Sequence, residues 1–420
     1  MTTRNYLMLR LFMLLALVVS IVVTSTRLQA QTGCSASLGL PFTDLGSMPS
    51  VFCQAVAEAY FSGLANGTSA TTYSPDDNVT RAQMAAFTTR TMDQSLRRGS
   101  RRAALNQWWS PGSITTLDLS STPTGDFPRM AASDGTDIWV ASRSGDHLIR
   151  VRASDGMRQG FFSPPDYVYG VLIAMGRVFL SREICNGADL IMVDPKTGAD
   201  TTVATNLGNG SKGIAFDGTK IWTANDGRIG ETLCVAGGSA GSLSIVTPAD
   251  TTPWSVNTIT AGFNRPYGIL YDGTHIWVTD RGENRLKKVN KANGAVLQNI
   301  QVGNAPGHPV FDGMNIWVPN YGSDDIYVVR VKDSAGNPLA APFVLKTVTA
   351  PFMLGPLTAA FDGERILVAC QTQGIFLFKA ADLSFISGIS TGPDTTPFGA
   401  CSDGLNFFVT MNSTNQLVRF

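Results

Sequence analysis

The sequence predicts a mainly β protein, a seven-bladed β-propeller closed by an N-terminal strand and preceded by a small α-helical module. Two observations predict this fold class. Beyond residue 112 a segment of the form Asp-Gly-x-x-Ile-Trp-Val returns at intervals of 40 to 55 residues, which is typical of repeats with four short strands each. Before residue 94, apolar side chains such as Val56, Tyr60, Met84 and Phe87 recur at helical spacing.

The first 30 residues predict a secretory signal. Arg4 and Arg10 precede an aliphatic run over residues 11–23, and a polar stretch then leads to the small residue Ala30. This order is typical of a signal that is cleaved after its small residue. The alternative, a membrane anchor, needs roughly 18 or more apolar residues, more than this run contains. We therefore expect an exported chain without a transmembrane segment after cleavage.

Residues 31–93 predict a helical module. Apolar side chains place a first helix at residues 51–61, and Gly63 is a suitable stop. A polar loop follows, in which Asp77 and Asn78 are candidate caps for a second helix that carries Met84 and Phe87. Two short helices joined by a glycine-rich hinge result.

Four short motifs of this module match a known family in order. They are Phe-x-Asp-Leu at 42–45, Gly-Leu-Ala-x-Gly at 63–67, Tyr-Ser-Pro-Asp at 73–76 and Val-Thr-Arg-Ala-Gln at 79–83. The segment thus resembles an S-layer homology domain. That resemblance implies binding of an anionic cell-wall polysaccharide through Asp44, Thr80, Arg81 and Gln83, with the Arg81 guanidinium as the main anion partner.

The chain departs from the family pattern in two respects. Gln83 stands where the family commonly has Glu, and one copy is present where anchoring proteins usually carry three. A single copy would bind weakly unless oligomers restored avidity. The alternative is that Arg81 only holds the helix pair together, through Asp44 or a backbone carbonyl.

Residues 94–112 predict a basic linker. Arg97, Arg98, Arg101 and Arg102 precede the pair Trp108 and Trp109. A solvated charge run is the ordinary interpretation. The functional alternative is a clamp on acidic polymer, in which arginines attract the charge and tryptophans offer a face to sugar rings.

Residues 113–420 predict the propeller. Six copies of the repeat are centred on Asp residues and a seventh on Met175, which precedes a glycine in the same way: Asp134, Met175, Asp217, Asp272, Asp312, Asp362 and Asp403. The repeated tryptophans are expected to pack between neighbouring blades. The last repeat is one strand short, and residues 114–119 form an orphan strand before the first blade. Pairing this strand beside residues 416–420 would complete blade 7 and remove the open edges.

The antiparallel order of strands predicts which residues share one end of the ring, here called the mouth. The start of each first strand and the end of each second strand must lie there. The predicted mouth residues are Arg129, Lys212, Asn225, Tyr267, Asp280, His308 and Asn320.

The six cysteines are expected to form disulfides, because exported proteins reach oxidising compartments. Cys185 and Cys234 lie in corresponding loops of neighbouring blades, which predicts their pairing. Cys34 and Cys53 could join the leading segment to the first helix. Cys370 and Cys401 are the remaining pair, on adjacent blades but nearer opposite ends.

The segment Pro-Tyr-Gly-Ile-x-x-Asp-Gly-x-x-Ile-Trp-Val-Thr-Asp at 266–280 carries a second resemblance. The repeats resemble propellers of the NHL, YVTN and streptogramin-lyase type, a group that includes lyases, lactonases and binding scaffolds. A lactonase would need converging oxygens, for which Asp280, Asn225 and Asn320 are candidates, although Arg182 is a poor neighbour for a cation. A lyase would need a general base, for which His308 is the candidate.

These observations favour an exported surface protein over an enzyme. The module would bind wall or envelope polysaccharide, and the propeller would present a protein or a small-molecule ligand at its mouth. No cofactor is predicted, and a divalent cation at the mouth stays open. Enzyme action at the mouth and a purely structural docking platform are the alternatives. Nucleic acid is not expected as a partner, since 32 Lys and Arg balance 32 Asp and Glu.

Overall fold

A computed structural model describes residues 40–46, 52–61, 65, 67–80, 83–84, 115–119, 127–143, 147–230, 232–234, 241–372 and 374–420. The chain divides into two compact units, Met1–Phe87 and Thr88–Phe420. The predicted signal at 1–30, Cys34, Arg81 and the basic linker at 94–112 lie outside the described residues. Within the described part of the chain, no helix is long and apolar enough to cross a bilayer.

The first unit packs around Phe42. Helix α1 spans Cys53–Phe61, close to the predicted 51–61. The Phe42 ring is fully buried and lies 5.0 Å from the Tyr60 ring and 5.2 Å from the Tyr73 ring, measured between centroids. Gly67 has a φ of +79°, and a Cβ there would lie 2.5 Å from the Phe42 ring. The last glycine of the Gly-Leu-Ala-x-Gly motif is therefore required by both backbone conformation and space.

The second unit consists of seven four-stranded antiparallel sheets, numbered here as blades 1 to 7. Strand β1 is Thr115–Asp118. Blade 1 contains β2 (Pro128–Ser133), β3 (Asp137–Ser142), β4 (His147–Arg152) and β5 (Arg158–Phe162). Blade 2 contains β6 (Val168–Ala174), β7 (Arg177–Arg182), β8 (Ala188–Val193) and β9 (Asp200–Leu207). Blade 3 contains β10 (Ser211–Phe216), β11 (Ile221–Asn225), β14 (Ser242–Thr247) and β15 (Ser255–Ile259), with the inserted hairpin β12 (Arg228–Ile229) and β13 (Thr232–Leu233).

Blade 4 contains β16 (Pro266–Tyr271), β17 (Ile276–Asp280), β18 (Arg285–Val289) and β19 (Val296–Gln301). Blade 5 contains β20 (Val310–Phe311), β21 (Asn315–Asn320), β22 (Asp325–Lys332) and β23 (Pro338–Val348). Blade 6 contains β24 (Pro356–Phe361), β25 (Arg365–Cys370), β26 (Gly374–Lys379) and β27 (Phe385–Ser390). Blade 7 contains β28 (Pro397–Ser402), β29 (Phe407–Met411) and β30 (Gln416–Arg419).

Strand β1 closes the ring. It pairs antiparallel with β30, from Thr115 opposite Arg419 to Asp118 opposite Gln416, so that blade 7 has the order β1-β30-β29-β28. Blade 7 therefore combines strands from both ends of the propeller sequence. The fold class, a mainly β chain with a seven-bladed propeller and little helix, is confirmed, as is the ring-closing strand.

The repeated Asp-Gly turns have a second function beyond turning the chain. In blade 4, one Asp272 carboxylate oxygen accepts hydrogen bonds from the backbone N–H groups of Thr274 and His275, both at 2.7 Å. The other oxygen accepts the Trp277 indole N–H at 2.8 Å. Trp277 is fully buried against residues of blade 5 such as Ile316. The predicted packing of tryptophan between blades is confirmed, and the turn carboxylate satisfies its polar atom.

One of the predicted disulfides is confirmed. Cys185 and Cys234 are bonded, with their Cα atoms 5.2 Å apart. Cys370 and Cys401 are free, so their predicted pairing is wrong. Cys370 lies opposite Pro356 at the mouth end of blade 6, whereas Cys401 lies next to the turn at the other end of blade 7. Burial raises the pKa of both thiols, which keeps them protonated and unreactive.

Candidate functional site

The mouth is centred on one position of the first strand in each blade. The β-sheet registers make seven residues equivalent there: Arg129, Tyr169, Lys212, Tyr267, Gly307, Leu357 and Phe398. Four of them, Tyr169, Tyr267, Leu357 and Phe398, form one buried cluster. First strands of neighbouring blades contact each other around the axis. Aromatic and aliphatic side chains therefore meet at the axis below the mouth.

Two tyrosine hydroxyls and a histidine form the polar centre of this cluster. The hydroxyls of Tyr169 and Tyr267 lie 2.6 Å apart, and Nε2 of His308 lies 3.5 Å from the Tyr169 hydroxyl. Burial, helped by the Arg281 and Lys212 cations, lowers the pKa of His308 to about 3. Burial and the Tyr267 hydroxyl raise the pKa of Tyr169 well above its usual value. His308 and Tyr169 are therefore uncharged at neutral pH.

Two arginines stand on either side of the tyrosine pair. The Arg129 guanidinium carbon lies 4.4 Å from the Phe398 ring centroid and 5.8 Å from that of Tyr169. The Arg281 guanidinium carbon lies 3.5 Å from the Tyr267 ring centroid, and its Nε donates to the carbonyl of Pro306 at 3.1 Å. Both side chains are partly exposed, and neither is paired with a carboxylate of the described residues. Each keeps hydrogen-bonding capacity for an anion.

A buried charge network borders the same cluster. Lys212 Nζ lies 2.5 Å from a Glu183 carboxylate oxygen and 3.7 Å from one of Asp226. Arg143 and Arg265 each contact one of these carboxylates from outside at 2.9 Å. Burial raises the pKa of Glu183, but Lys212, Arg143 and a backbone N–H together hold it below its usual value. Lys212 is thus fixed as a cation between two buried carboxylates.

Three predicted mouth residues lie at the predicted end but not in this cluster. Asn225, Asp280 and Asn320 are completely buried. Asn225 bonds hydroxyls of its own blade, Asp280 accepts from the backbone N–H of Asn264 at 2.8 Å, and Asn320 donates to Asp325 at 2.8 Å. Asp280 also pairs with Lys287 at 2.8 Å. These side chains therefore hold loops and strand ends instead of converging on the axis.

No group of three or more His, Cys, Asp or Glu suited to a metal ion occurs among the residues that the structure describes. The lyase hypothesis depends on His308 as a base. A group with a pKa of about 3 is a weak general base at neutral pH. The enzyme alternatives therefore gain no support from the mouth.

In the first unit, the predicted binding residue Asp44 contacts the backbone. Its carboxylate accepts hydrogen bonds from the N–H groups of Tyr73, at 2.9 Å, and Ser74, at 2.7 Å. These bonds fix the start of the Tyr-Ser-Pro-Asp motif. Asp44 therefore has a structural role in this domain.

Thr80 and Gln83 form a reciprocal helix cap. The Thr80 N–H donates to the Gln83 side-chain oxygen at 2.9 Å, and the Gln83 N–H donates to the Thr80 hydroxyl at 3.1 Å. Glutamine performs this task as well as glutamate does, so the departure at Gln83 leaves the cap intact. The predicted caps Asp77 and Asn78 were the wrong choice, because the first helical hydrogen bond runs from the Met84 N–H to the Thr80 carbonyl at 2.9 Å.

Residues 41–85 match the S-layer homology domain family. The chain thus combines an S-layer homology domain with a seven-bladed β-propeller. Because such domains bind cell-wall polymers, this chain is a cell-surface protein. No curated protein matches the chain as a relative.

Two solved structures are among those similar to this chain. A catalytically inactive variant of virginiamycin B lyase from Staphylococcus aureus, solved with quinupristin, is 14% identical with a TM-score of 0.56, and the match covers 73% of this chain and 98% of that one. The propeller domain of Cps50 (Swd1) from Myceliophteria thermophila is 10% identical with a TM-score of 0.56, covering 72% and 99%. At such identities the likeness shows the fold alone.

The depressed pKa of His308 predicts an acid sensitivity of the propeller. The unfolded chain binds a proton at His308 near the usual pKa of 6.5, whereas the folded chain does so only near pH 3. Stability from this group should therefore fall by roughly 1.4 kcal/mol per pH unit as the pH drops below 6.5. His308→Gln should remove this dependence, as measured by urea unfolding from pH 7 to pH 4.5. His147→Gln, on the third strand of blade 1, is the control, and an unchanged slope in His308→Gln would contradict the assignment.

Proposed function

We propose that this protein attaches to an acidic polysaccharide of the cell wall or envelope through its S-layer homology domain, and presents its propeller mouth as a binding site. The observation that carries the proposal is the match of residues 41–85 to that domain. The leader at 1–30 supplies the export that such a location requires.

Arg81 is the proposed anion partner. In sequence it lies between Thr80 and Gln83, whose reciprocal hydrogen bonds fix the backbone on both sides of it. The Asp44 carboxylate accepts hydrogen bonds from the backbone N–H groups of residues 73 and 74, which precede this segment. A guanidinium suits a carboxylate or a pyruvyl ketal, because it donates two parallel hydrogen bonds.

A single domain of this kind would bind weakly by itself. The basic segment at 94–112 offers a second contact with the same polymer, through its four arginines and the tryptophans 108 and 109. Two weak contacts on one chain raise the effective concentration of each. We therefore propose that the module and the linker bind the polymer together.

Cosedimentation with purified envelopes tests the proposal. The full chain should sediment with envelopes that retain their acidic polymer and stay in the supernatant with envelopes stripped of it. Arg81→Ala should lose most of the bound fraction, and Arg81→Lys should retain part of it because charge remains while the fork is lost. Arg152→Ala, an exposed arginine of blade 1, should bind normally. Equal sedimentation of all variants, or none by the unmodified chain, would contradict the proposal.

A further inference from the structure

Exposed aromatic side chains surround the mouth. They are Phe127, Tyr167, Tyr321 and Phe352, exposed by 42%, 45%, 42% and 93%. Phe127 and Tyr167 immediately precede the first strands of blades 1 and 2, and Tyr321 follows the second strand of blade 5. Phe352 precedes the first strand of blade 6, in a loop whose Gly355 packs against the Tyr321 ring. These four residues are called the aromatic rim below.

The backbone at three rim positions does not favour an aromatic residue, since Phe352, with a φ of +64°, belongs with the two that follow. Phe127 has a φ of +45° and Tyr167 one of +61°. Their carbonyls accept hydrogen bonds from the N–H groups of Arg143 and Glu183, and Gly210 and Gly355 make the equivalent bonds in blades 3 and 6. A glycine can therefore form this turn, and the turn does not require an aromatic residue. A bulky residue in the left-handed region costs about 1–2 kcal/mol, and a solvent-exposed ring recovers little of that by packing.

Positive charge lies inside the aromatic rim. The groups linked to the tyrosine pair through the contacts above comprise five cations, Arg129, Arg143, Lys212, Arg265 and Arg281, and two carboxylates, Glu183 and Asp226. Arg143 also lies 5.9 Å from the centroid of the rim residue Tyr167. Among the described residues this leaves an excess of three positive charges, although the whole chain is balanced. The local field favours an anion.

The rim residues belong to blades 1 and 2 on one side and to blades 5 and 6 on the other. In a ring of seven blades these pairs lie across the axis from each other. A chain-like ligand that crossed the mouth would contact aromatic faces at both ends and the partly exposed guanidinium groups of Arg129 and Arg281 at its middle. Sugar rings stack on aromatic faces through their C–H bonds, and carboxylates accept the paired N–H donors of arginine.

We propose that the propeller mouth binds a linear acidic oligosaccharide, a chain of carboxylated sugars that lies across the axis. Arg129 and Arg281 bind the central carboxylates, and the aromatic rim stacks on the outer sugar rings. This inference rests on the proposed function only in so far as the protein must meet such glycans at the cell envelope. The mouth would be a second glycan site, and it shares no residue with the S-layer homology domain.

Calorimetric titration of the full chain with linear tetragalacturonate tests the site, and the uncharged tetraose maltotetraose is the matched ligand. We expect binding of tetragalacturonate at 150 mM salt and none of maltotetraose. Arg129→Gln/Arg281→Gln should weaken binding at least tenfold, since each arginine loses charged hydrogen bonds. Phe352→Ala should weaken it about threefold to tenfold, and its exposed side chain leaves folding unaffected. Phe385→Ala, an exposed ring on the outer strand of blade 6, should bind normally.

Arg81→Ala separates this site from the one proposed on the first unit. If the mouth binds the oligosaccharide, Arg81→Ala retains the affinity while Arg129→Gln/Arg281→Gln loses it. The proposal is overturned if Arg81→Ala abolishes binding and the mouth variants do not, if maltotetraose binds as well, or if sulfate alone displaces the ligand at equal concentration. Loss of envelope binding with an intact mouth affinity would reject only the anchoring role.

Discussion

Deleting residues 115–119 should lower the free energy of unfolding of the propeller by roughly 5 kcal/mol or more and promote self-association. The segment supplies β1, which forms the outer edge of blade 7. Leu119 is completely buried between blades 7 and 1, and Leu117 packs against the same cluster. Each buried leucine contributes about 2–5 kcal/mol when truncation leaves a cavity. The deletion also exposes the hydrogen-bonding edge of β30, which can then pair with another chain.

Urea unfolding and size-exclusion chromatography measure the two effects. Leu119→Ala should show a graded loss of about 2–5 kcal/mol without an exposed edge, and so without self-association. Thr116→Ala lies on the exposed face of the same strand and should change stability by less than about 0.5 kcal/mol. A deletion variant that kept the unfolding midpoint of the complete chain would show that closure by β1 does not stabilise the ring.

Sequence alone predicted the architecture because its signals are local. The Asp-Gly turn and the Ile-Trp-Val strand lie within nine residues. Each repeat can therefore be recognised from its own sequence. Counting strands then showed that blade 7 was incomplete, and antiparallel pairing left one place for residues 114–119. The bond between Cys185 and Cys234 followed similarly, because loops at the same end of adjacent blades are neighbours.

The centre of the mouth was predicted only in part, for a structural reason. Arg129, Lys212, Tyr267 and His308 were identified, but Tyr169, Phe398 and Arg281 were missed. The first strands carry a β-bulge near their start, as between Pro266 and Ile269. A bulge breaks the period-two alternation from which side-chain direction is normally read. Alignment of Tyr169 and Phe398 with Tyr267 along the repeat would have identified both.

Strand topology also does not settle what a side chain at a strand end contacts. Asp280 and Asn225 were candidates for a site on the axis, yet both side chains form hydrogen bonds with their own surroundings. The N-cap residue of the second helix could have been predicted from the sequence. Only Thr80 has Gln three residues later, whereas Asp77 and Asn78 lack that partner.

Lys212→Met should destabilise the propeller by about 3 kcal/mol at pH 7. Lys212 is buried between Glu183 and Asp226, whose side chains are each 1% exposed. Removing the ammonium leaves two buried carboxylates with only the outer arginines as partners, and loss of one member of a buried ion pair typically costs about 3–5 kcal/mol. Lys346→Met, on the exposed outer strand of blade 5, should have little effect.

A double-mutant cycle identifies the cause of that loss. Glu183→Gln keeps an oxygen for the Gly230 N–H while removing the charge, so adding it to Lys212→Met should recover about 1–2 kcal/mol. The pH dependence gives an independent test. Lys212 holds the pKa of Glu183 below its usual value, so its stabilising effect is present above pH 4.5 and disappears as the pH falls through the folded pKa. The difference between the unmodified chain and Lys212→Met should therefore shrink on acidification. A constant difference, or no recovery by Glu183→Gln, would assign the effect to packing of the lysine stem between Tyr169 and Tyr267 instead of to charge.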